Sequence, residues 1–472
     1  MDKVSFLQEK STFHMKYPDQ SDLAFYRWYT EQHPEEAIGW YHLGREREAR
    51  GELDQAIAAM KQALHAKPGP YFHEAREAYQ ELIRKRKSRG RGAIKRRLLA
   101  SLLFLYGLLA FSPGPLTEPA QVEKASGPIS PPAFTDRPHV EVVAVPANLS
   151  PSQLQSQLRS YVESRRPSLA QPYTVIAVPE FAGGPLFTPL LFYQPKNVLG
   201  VLRYQPDTRT VISQTWFERP GPYEQDPRLQ AARAALAEEQ QITEQILTLR
   251  NALYRYYQRK GSLPDSLSQL AGAYPGNYLP QIPVPPKGLS LSAYVYNPGA
   301  FRPETAWASL REVMPLPGYP EPLIPLAPLQ IHLSEATHTL RLMSGPHLVR
   351  SYPVGIGKNG STPEGYFTIL QKINHPRGHD NIYGTRGMVF QNSGYAIHGT
   401  NHPESIGSSV SLGCIRMLNA AVEELYSFVS LGTEVVLSDA PMPSIAWSNP
   451  AAFLLKARPQ EETPQVVYQW LH

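Results

Sequence analysis

Nine of the fourteen residues from Arg84 to Arg97 are basic, and they lead straight into an apolar stretch, Leu98 to Phe111, with no charge before Glu118. This juxtaposition constrains the fold more than any other feature, because it splits the chain into two parts that need separate cores. Alone, a basic run of this kind reads as a nucleic-acid patch. The residues that follow it point elsewhere. A membrane span takes about 20 apolar residues, and Leu98 to Leu116 supplies nineteen uncharged ones. Basic side chains at the entry can snorkel to the interface. A transmembrane helix over 96–116 is expected, with a buried core helix as the alternative. A signal peptide is disfavoured, because the segment begins so far into the chain. The positive-inside rule then gives a single-pass cell-membrane protein with residues 1–97 cytoplasmic and residues 113–472 outside.

A chain of 472 residues exceeds one ordinary core, so several domains are expected. Charged residues make up 18% and prolines number 47, which favours extended connections and turns over a helical array throughout. The net charge of +5 is modest and unevenly placed. The single cysteine, Cys414, rules out a disulfide scaffold and a cysteine-based zinc site. No cofactor is implied.

In the part before the basic run, Trp40, Leu43, Gly44, Gly51, Ala56, Met60, Ala63 and Pro68 fall at the spacing of a tetratricopeptide unit. Small residues let two antiparallel helices approach, Gly51 permits the turn, and Pro68 ends the second helix. Tyr26, Tyr29 and Pro34 look like the tail of a preceding unit, and Tyr71 to Ile83 like a capping helix. Residues 1–95 thus resemble a short tetratricopeptide module, which implies a cytoplasmic protein partner. A plain helical hairpin is the alternative.

Residues 117–136, rich in Pro, Gly and Ser, read as a linker. Over 137–222 a small α+β module is expected. Its strands are Val140–Val145 and Tyr173–Val178, separated by a helix from Pro151 with Ser150 as N-cap, and a hairpin turns over Pro206-Asp207. Over 226–325 a long helix, Asp226 to Lys260, carries the stripe Ile242, Ile246, Leu249, Leu253, Tyr256 and Tyr257. Short strands are expected after it, in a layout similar to that of pilin-like extracellular domains.

From Leu329 the texture becomes short strands with turn signals, followed by one helix near Ala420–Val429 and a strand, Thr433–Leu437. Here Cys414 lies in Ser411-Leu-Gly-Cys-Ile-Arg-Met417, sixteen positions after His398. A lone cysteine is often a small buried hydrophobe. A glycine-flanked cysteine with a nearby histidine is also the minimum kit for thiolate chemistry. A free thiol has a pKa near 8.5, so it needs a base, and His398 is the candidate. Backbone N–H groups around Leu412, Gly413 and Cys414 are candidates for an oxyanion hole, and Gly413 removes a Cβ where substrate must approach.

Ser361-Thr-Pro-Glu-Gly-Tyr-Phe-Thr-Ile369, Tyr383-Gly-Thr-Arg386, Ile397-His-Gly-Thr-Asn401, Ser405-Ile-Gly407 and Ser411–Met417 occur in order. With them, residues 328–438 resemble the YkuD type of L,D-transpeptidase catalytic domain. The expected fold class is therefore multidomain: an all-α helical-repeat segment, one transmembrane helix, an α+β middle region, a mostly-β catalytic domain over 328–440, and a tail over 441–472. The resemblance implies an acyltransferase acting on peptidoglycan stem peptides, with carboxypeptidase activity when water is the acceptor. Cys414 is then the nucleophile, His398 the base, Gly413 an oxyanion donor and Ser411 an orienting residue for His398 or Cys414. Arg416, Gly399, Thr400 and Tyr383 line the substrate. Many family members have His directly before the Gly-Cys pair, where this chain has Leu412. A catalytically silent wall-binding or scaffold protein is the alternative reading. His398 and His402 are spaced like a helical metal pair, but Gly399 and Pro403 argue against a helix there. His375 and His379 flank a loop that reads as a flap.

Overall fold

A computed structural model describes residues 3–17, 20–50, 52–66, 71–72, 74–76, 78–83, 137–165, 172–180, 188–289, 291–322, 324–445 and 447–471. The chain forms two units, residues 1–131 and 132–472.

The first unit is helical: α1 (Lys3–Lys16), α2 (Asp22–Gln32), α3 (Ala37–Ala49) and α4 (Leu53–His65). Ser21 caps α2 by accepting a hydrogen bond from Ala24 N–H. Gly44 lets α3 lie close on α4, since a Cβ there would sit 2.8 Å from Cε of Met60. Phe6, Phe25, Tyr29, Ile38 and Leu43 make one small core, and Ala56, Met60, Ala63, Ala78 and Leu82 a second. The helical hairpin is present. The turn at Gly51 and the stop at Pro68 lie outside the described residues.

The expected transmembrane helix requires a correction. No helix among the described residues is long and apolar enough to cross a membrane, and 96–116 lies outside the described residues, as do the basic run and the linker. Among the described residues the one helix of sufficient length has 34 residues, and Arg233, Glu238, Glu239, Glu244, Arg250 and Arg255 run along it. The fold class becomes a helical region followed by an α/β middle and a β-rich catalytic region.

The second unit begins with a five-stranded sheet in the order β3-β1-β2-β4-β5, where β1 is His139–Val145, β2 Tyr173–Pro179, β3 Thr188–Pro189, β4 Val198–Gln205 and β5 Thr210–Gly221. β1 and β2 are parallel across the crossover helix α5 (Pro151–Arg165). Leu154, Leu158 and Val162 of α5 cover one face of the sheet. Leu229, Ala232 and Leu236 of α6 (Pro227–Lys260) cover the other. Burial on both faces explains the unbroken Val/Ile/Ala runs of β1 and β2.

Helix α6 starts at an Asp226 cap with proline at its first position and ends at Gly261, whose φ of 80° suits a left-handed cap. Its second half packs on Leu270, Leu279, Leu310 and Val313. The short strands expected after it are absent among the described residues. Short 3₁₀ turns and one helix, α7 (Ala306–Val313), take their place. Pro264, Pro275, Pro280, Pro283, Pro285 and Pro286 explain this, because each lacks the N–H that a ladder needs.

The catalytic region contains a sheet β10-β16-β6-β7-β8, a sheet β11-β12-β13-β15 and a pair β14-β9. In chain order these are β6 Leu329–Ser334, β7 Thr339–Ser344, β8 His347–Pro353, β9 Ile356–Gly357, β10 Gly365–Thr368, β11 Gln371–Asn374, β12 Arg386–Gln391, β13 Tyr395–Gly399, β14 Ser409–Ser411, β15 Ile415–Met417 and β16 Glu434–Ser438. Helix α8 (Asn419–Phe428) puts Val422, Leu425 and Phe428 into the core, against Leu340, Val349, Ile397 and Ile415. Leu247 of α6 belongs to that same core. Arg350, fully buried, bridges Glu244 of α6 at 2.8 Å and Glu424 of α8 at 2.7 Å. The middle region is thus built into the catalytic one.

Candidate active site

The segment Leu412-Gly413-Cys414 carries the chain from β14, paired with β9, to β15, paired with β13. Gly413 makes this reversal possible. Its φ is +141°, and a Cβ would lie 2.5 Å from Cε1 of Tyr395 and 2.9 Å from the Ser361 carbonyl. The Ser411 hydroxyl donates to Cys414 O at 2.7 Å and accepts from Gly413 N–H at 3.1 Å. From the other side, the Thr362 hydroxyl donates to Gly413 O at 3.1 Å and accepts from Gly357 N–H at 2.8 Å. Ser411 therefore acts on the backbone of the turn. The Gly413 N–H, expected among the oxyanion donors, is engaged by Ser411. The Cys414 N–H instead points into the groove, where it holds the Leu471 carbonyl at 2.8 Å.

The Cys414 thiol donates to Gly394 O at 3.5 Å, and its sulfur accepts from Ala396 N–H at 3.3 Å. It is fully buried with Ile373, Tyr383, Val389, Ala396 and Trp470. Burial pushes the thiol up to about 12; the Ala396 and Leu471 backbone contacts and the charge of Arg416 act in the opposite direction. In this arrangement the thiol is protonated at neutral pH.

His398 lies on β13, in register with Arg416 on the parallel β15. Its Nδ1 donates to Gly399 O at 2.5 Å. A carbonyl only accepts, so the proton sits on Nδ1 and the basic lone pair on Nε2, the tautomer a general base needs. The ring stands edge-on to Tyr383, centroids 5.1 Å apart, and 6.1 Å from Trp470. Tyr383 and Trp470 thus wall both the thiol and the imidazole.

The remaining candidates are distributed around this core. The Tyr383 hydroxyl donates to Trp470 O at 3.0 Å. A Cβ on Gly399 would press within 3.0 Å of Thr385 N, so the glycine admits a neighbouring loop. The Thr400 hydroxyl accepts from His402 N–H at 3.0 Å, a local turn bond. Arg416 exchanges backbone bonds with Gly355 at 2.8 and 2.9 Å, while its buried Nε makes no hydrogen bond. His402 turns to Glu404, at 3.0 Å. His375 pairs with Glu462 at 3.2 Å, so its loop faces the last segment of the chain.

Sequence reasoning missed Asn419, which accepts from Thr385 N–H at 3.1 Å and donates to Thr400 O at 3.2 Å, clamping two loops beside His398. It also missed Thr362 and Trp470. Thr362 stood inside a matched block without a role. The β-branched and aromatic residues of Val466-Val467-Tyr468-Gln469-Trp470-Leu471 are a strand-like signal. A cavity of about 590 Å³ lies elsewhere, lined by Gln240, Glu244 and Phe453 among others. It is lined by no cysteine, serine, threonine or lysine, so the acyl-transfer chemistry is assigned to the Cys414 groove.

The model of the YkuD L,D-transpeptidase catalytic domain matches residues 328–437. The chain is 39% identical over 124 residues to the Bacillus subtilis protein YkuD, which carries the name of an L,D-transpeptidase; the match covers 26% of this chain and 73% of that one. It is 42% identical over 112 residues to the Bacillus licheniformis protein of the same name, covering 24% of this chain and 66% of that one. Among solved structures, an L,D-transpeptidase from Mycobacterium smegmatis matches at 21% identity and TM-score 0.20, over 23% of this chain and 58% of that one. The chain therefore spans less than two thirds of that structure. The matched residues 328–437 contain Cys414 and His398 and stop short of Trp470.

Proposed function

This chain belongs to the YkuD family of cysteine-dependent L,D-transpeptidases, and we propose that it acts on peptidoglycan stem peptides through an acyl-enzyme on Cys414. His398 Nε2 takes the thiol proton, and the sulfur attacks the carbonyl carbon of the third stem residue. The carbonyl oxygen becomes an oxyanion held by the Cys414 N–H. The C–N bond breaks, and the terminal D-alanine leaves with the proton from His398. An amine of a neighbouring stem then attacks the thioester, forming the cross-link and releasing the thiol. Water in place of the amine trims the stem.

The observation that carries this reading is the Leu471 carbonyl at 2.8 Å from the Cys414 N–H, beside the sulfur. The groove already holds a peptide carbonyl where an acyl donor needs one. Arg416, with an unpartnered Nε at the site, is assigned to a substrate carboxylate. The activity belongs on the wall side of the cell membrane, where the substrate is. Residues 1–95, whose described part is helical, are assigned a protein partner, to be sought by pull-down.

The test is Cys414→Ala in the full chain, assayed by mass spectrometry on a disaccharide-tetrapeptide. The parent protein yields cross-linked dimers or tripeptides, and the variant yields neither. Product from the variant removes Cys414 as nucleophile. The burial of Cys414 favours a second reading, a silent wall-binding module; failure of a carbapenem to add mass to the protein, even at the exposed thiol of a tail-deleted form, would select it.

A further inference from the structure

The segment after Glu462 threads the groove in front of Cys414. Asn374 Nδ2 donates to the Glu462 carboxylate at 2.9 Å, and the Arg377 guanidinium donates to Pro464 O. Tyr468 N–H donates to Arg377 O at 2.8 Å, Leu471 N–H to Gly394 O at 3.0 Å, and Cys414 N–H to Leu471 O at 2.8 Å. Residues 374 and 377 pair with 462 and 467 in parallel bridges. Trp470 is the anchor. Its ring lies 4.7 Å from that of Tyr383, and a Cβ at Gly387 would come within 2.6 Å of it. Val467 is 58% exposed, against 9% for Trp470. The grip is therefore concentrated at the residues that cover the thiol.

We infer that Thr463–Leu471 is a built-in competitor for the acyl-donor groove, lying where an extended donor peptide lies, with Leu471 C=O in the place of the carbonyl to be attacked. The inference rests on the reading of Cys414 as nucleophile. In strand-like recognition main-chain bonds give affinity and side-chain pockets give specificity, so the main-chain groups that hold this segment offer the same bonds to another extended peptide. A segment tethered to its own site acts at an effective concentration of about millimolar. A free peptide well below that level competes poorly, so the intact chain turns over slowly. Withdrawing Trp470 and Leu471 removes much of what buries Cys414, the same burial that holds its thiol protonated. The segment thus blocks the groove and suppresses the nucleophile with one contact.

Cys414 is the chain's single cysteine, so iodoacetamide labelling followed by intact mass reads this site without any turnover. Full chain and a form lacking residues 463–472 are compared from pH 6 to 10. Deletion is expected to raise the labelling rate at neutral pH at least tenfold and to move the pH profile downward. Synthetic peptide of sequence 463–472 at millimolar concentration restores slow labelling. Equal rates and equal profiles in the two proteins overturn the inference. If the deletion unfolds by circular dichroism, full-length Leu471→Pro decides, because it removes the N–H bonded to Gly394. Folded Leu471→Pro protein labelling at the parent rate also overturns it. The two readings fail separately. Faster labelling with no tripeptide, dimer or carbapenem adduct from the deleted form sinks the enzymatic reading alone, whereas equal turnover with and without the segment sinks the competitor alone.

Discussion

At Ser411 a single hydroxyl makes two bonds to the turn that presents Cys414, one to the cysteine's own carbonyl and one from Gly413 N–H. It touches no reacting atom in this arrangement, so its effect is exerted through the position of the Cys414 N–H and sulfur. Displacement of about 1 Å in such a site costs on the order of a hundredfold in rate. Ser411→Ala is expected to lower kcat/KM by about ten- to hundredfold while lowering stability by about 1–2 kcal/mol. Ser411→Thr should recover most of the rate. Steady-state kinetics beside urea titrations check this, and a loss of rate in step with a loss of folded protein contradicts it. The identities of Cys414 and His398 were legible because residue type and glycine spacing are local properties. Which N–H holds the Leu471 carbonyl was not, because the Gly413 N–H is diverted by a hydroxyl whose rotamer no local pattern specifies.

Among the elements, β11 and α8 are tied by Lys372. Its buried ammonium donates to Tyr278 O at 3.1 Å, Tyr426 O at 2.9 Å and Val429 O at 2.6 Å, and lies 4.2 Å from the centre of the Tyr426 ring. Two of those carbonyls belong to the end of α8, where helix carbonyls lack internal partners. Lys372→Met fits the volume and leaves three carbonyls unpaired in a dry core. A loss of about 3–5 kcal/mol is expected, read as a lower midpoint in thermal and urea unfolding; an unchanged midpoint would show that water satisfies the carbonyls. The strands of the catalytic region and helix α6 were visible as periods of two and 3.6. The short strands expected after Gly261 rest on the pilin-like layout, and the prolines of that stretch deny it a ladder. The apolar run at 98–116 satisfied a length rule, but the described helices provide no membrane span.

For the whole second unit, α6 is the shared spine. Leu329 N–H donates to Asn251 Oδ1 at 3.1 Å, the Arg255 guanidinium donates to Leu329 O at 3.1 Å, and Arg350 is sandwiched between Glu244 and Glu424. Cutting the chain at 328 would leave Arg350 without one carboxylate and the core without Leu247. A buried charge stripped of a partner costs about 3–5 kcal/mol, a large share of the ~5–15 kcal/mol that holds a domain folded. Residues 328–471 alone are expected to melt well below residues 137–471, or to aggregate, in matched thermal scans. Equal midpoints would mean that the catalytic region stands by itself.

Sequence alone determined the chemistry on offer: one cysteine, a histidine sixteen residues before it, a glycine to turn the chain between sheets, and the ordered blocks that mark the family. These follow from residue type and short-range spacing, which survive without a fold. Tertiary structure alone decided that α6 belongs to the catalytic core, that Ser411 engages Gly413, and that Trp470 and Leu471 cover the nucleophile. Each of those depends on main-chain and packing contacts between segments far apart in the chain, and a local period shows that a face is apolar without showing what will cover it.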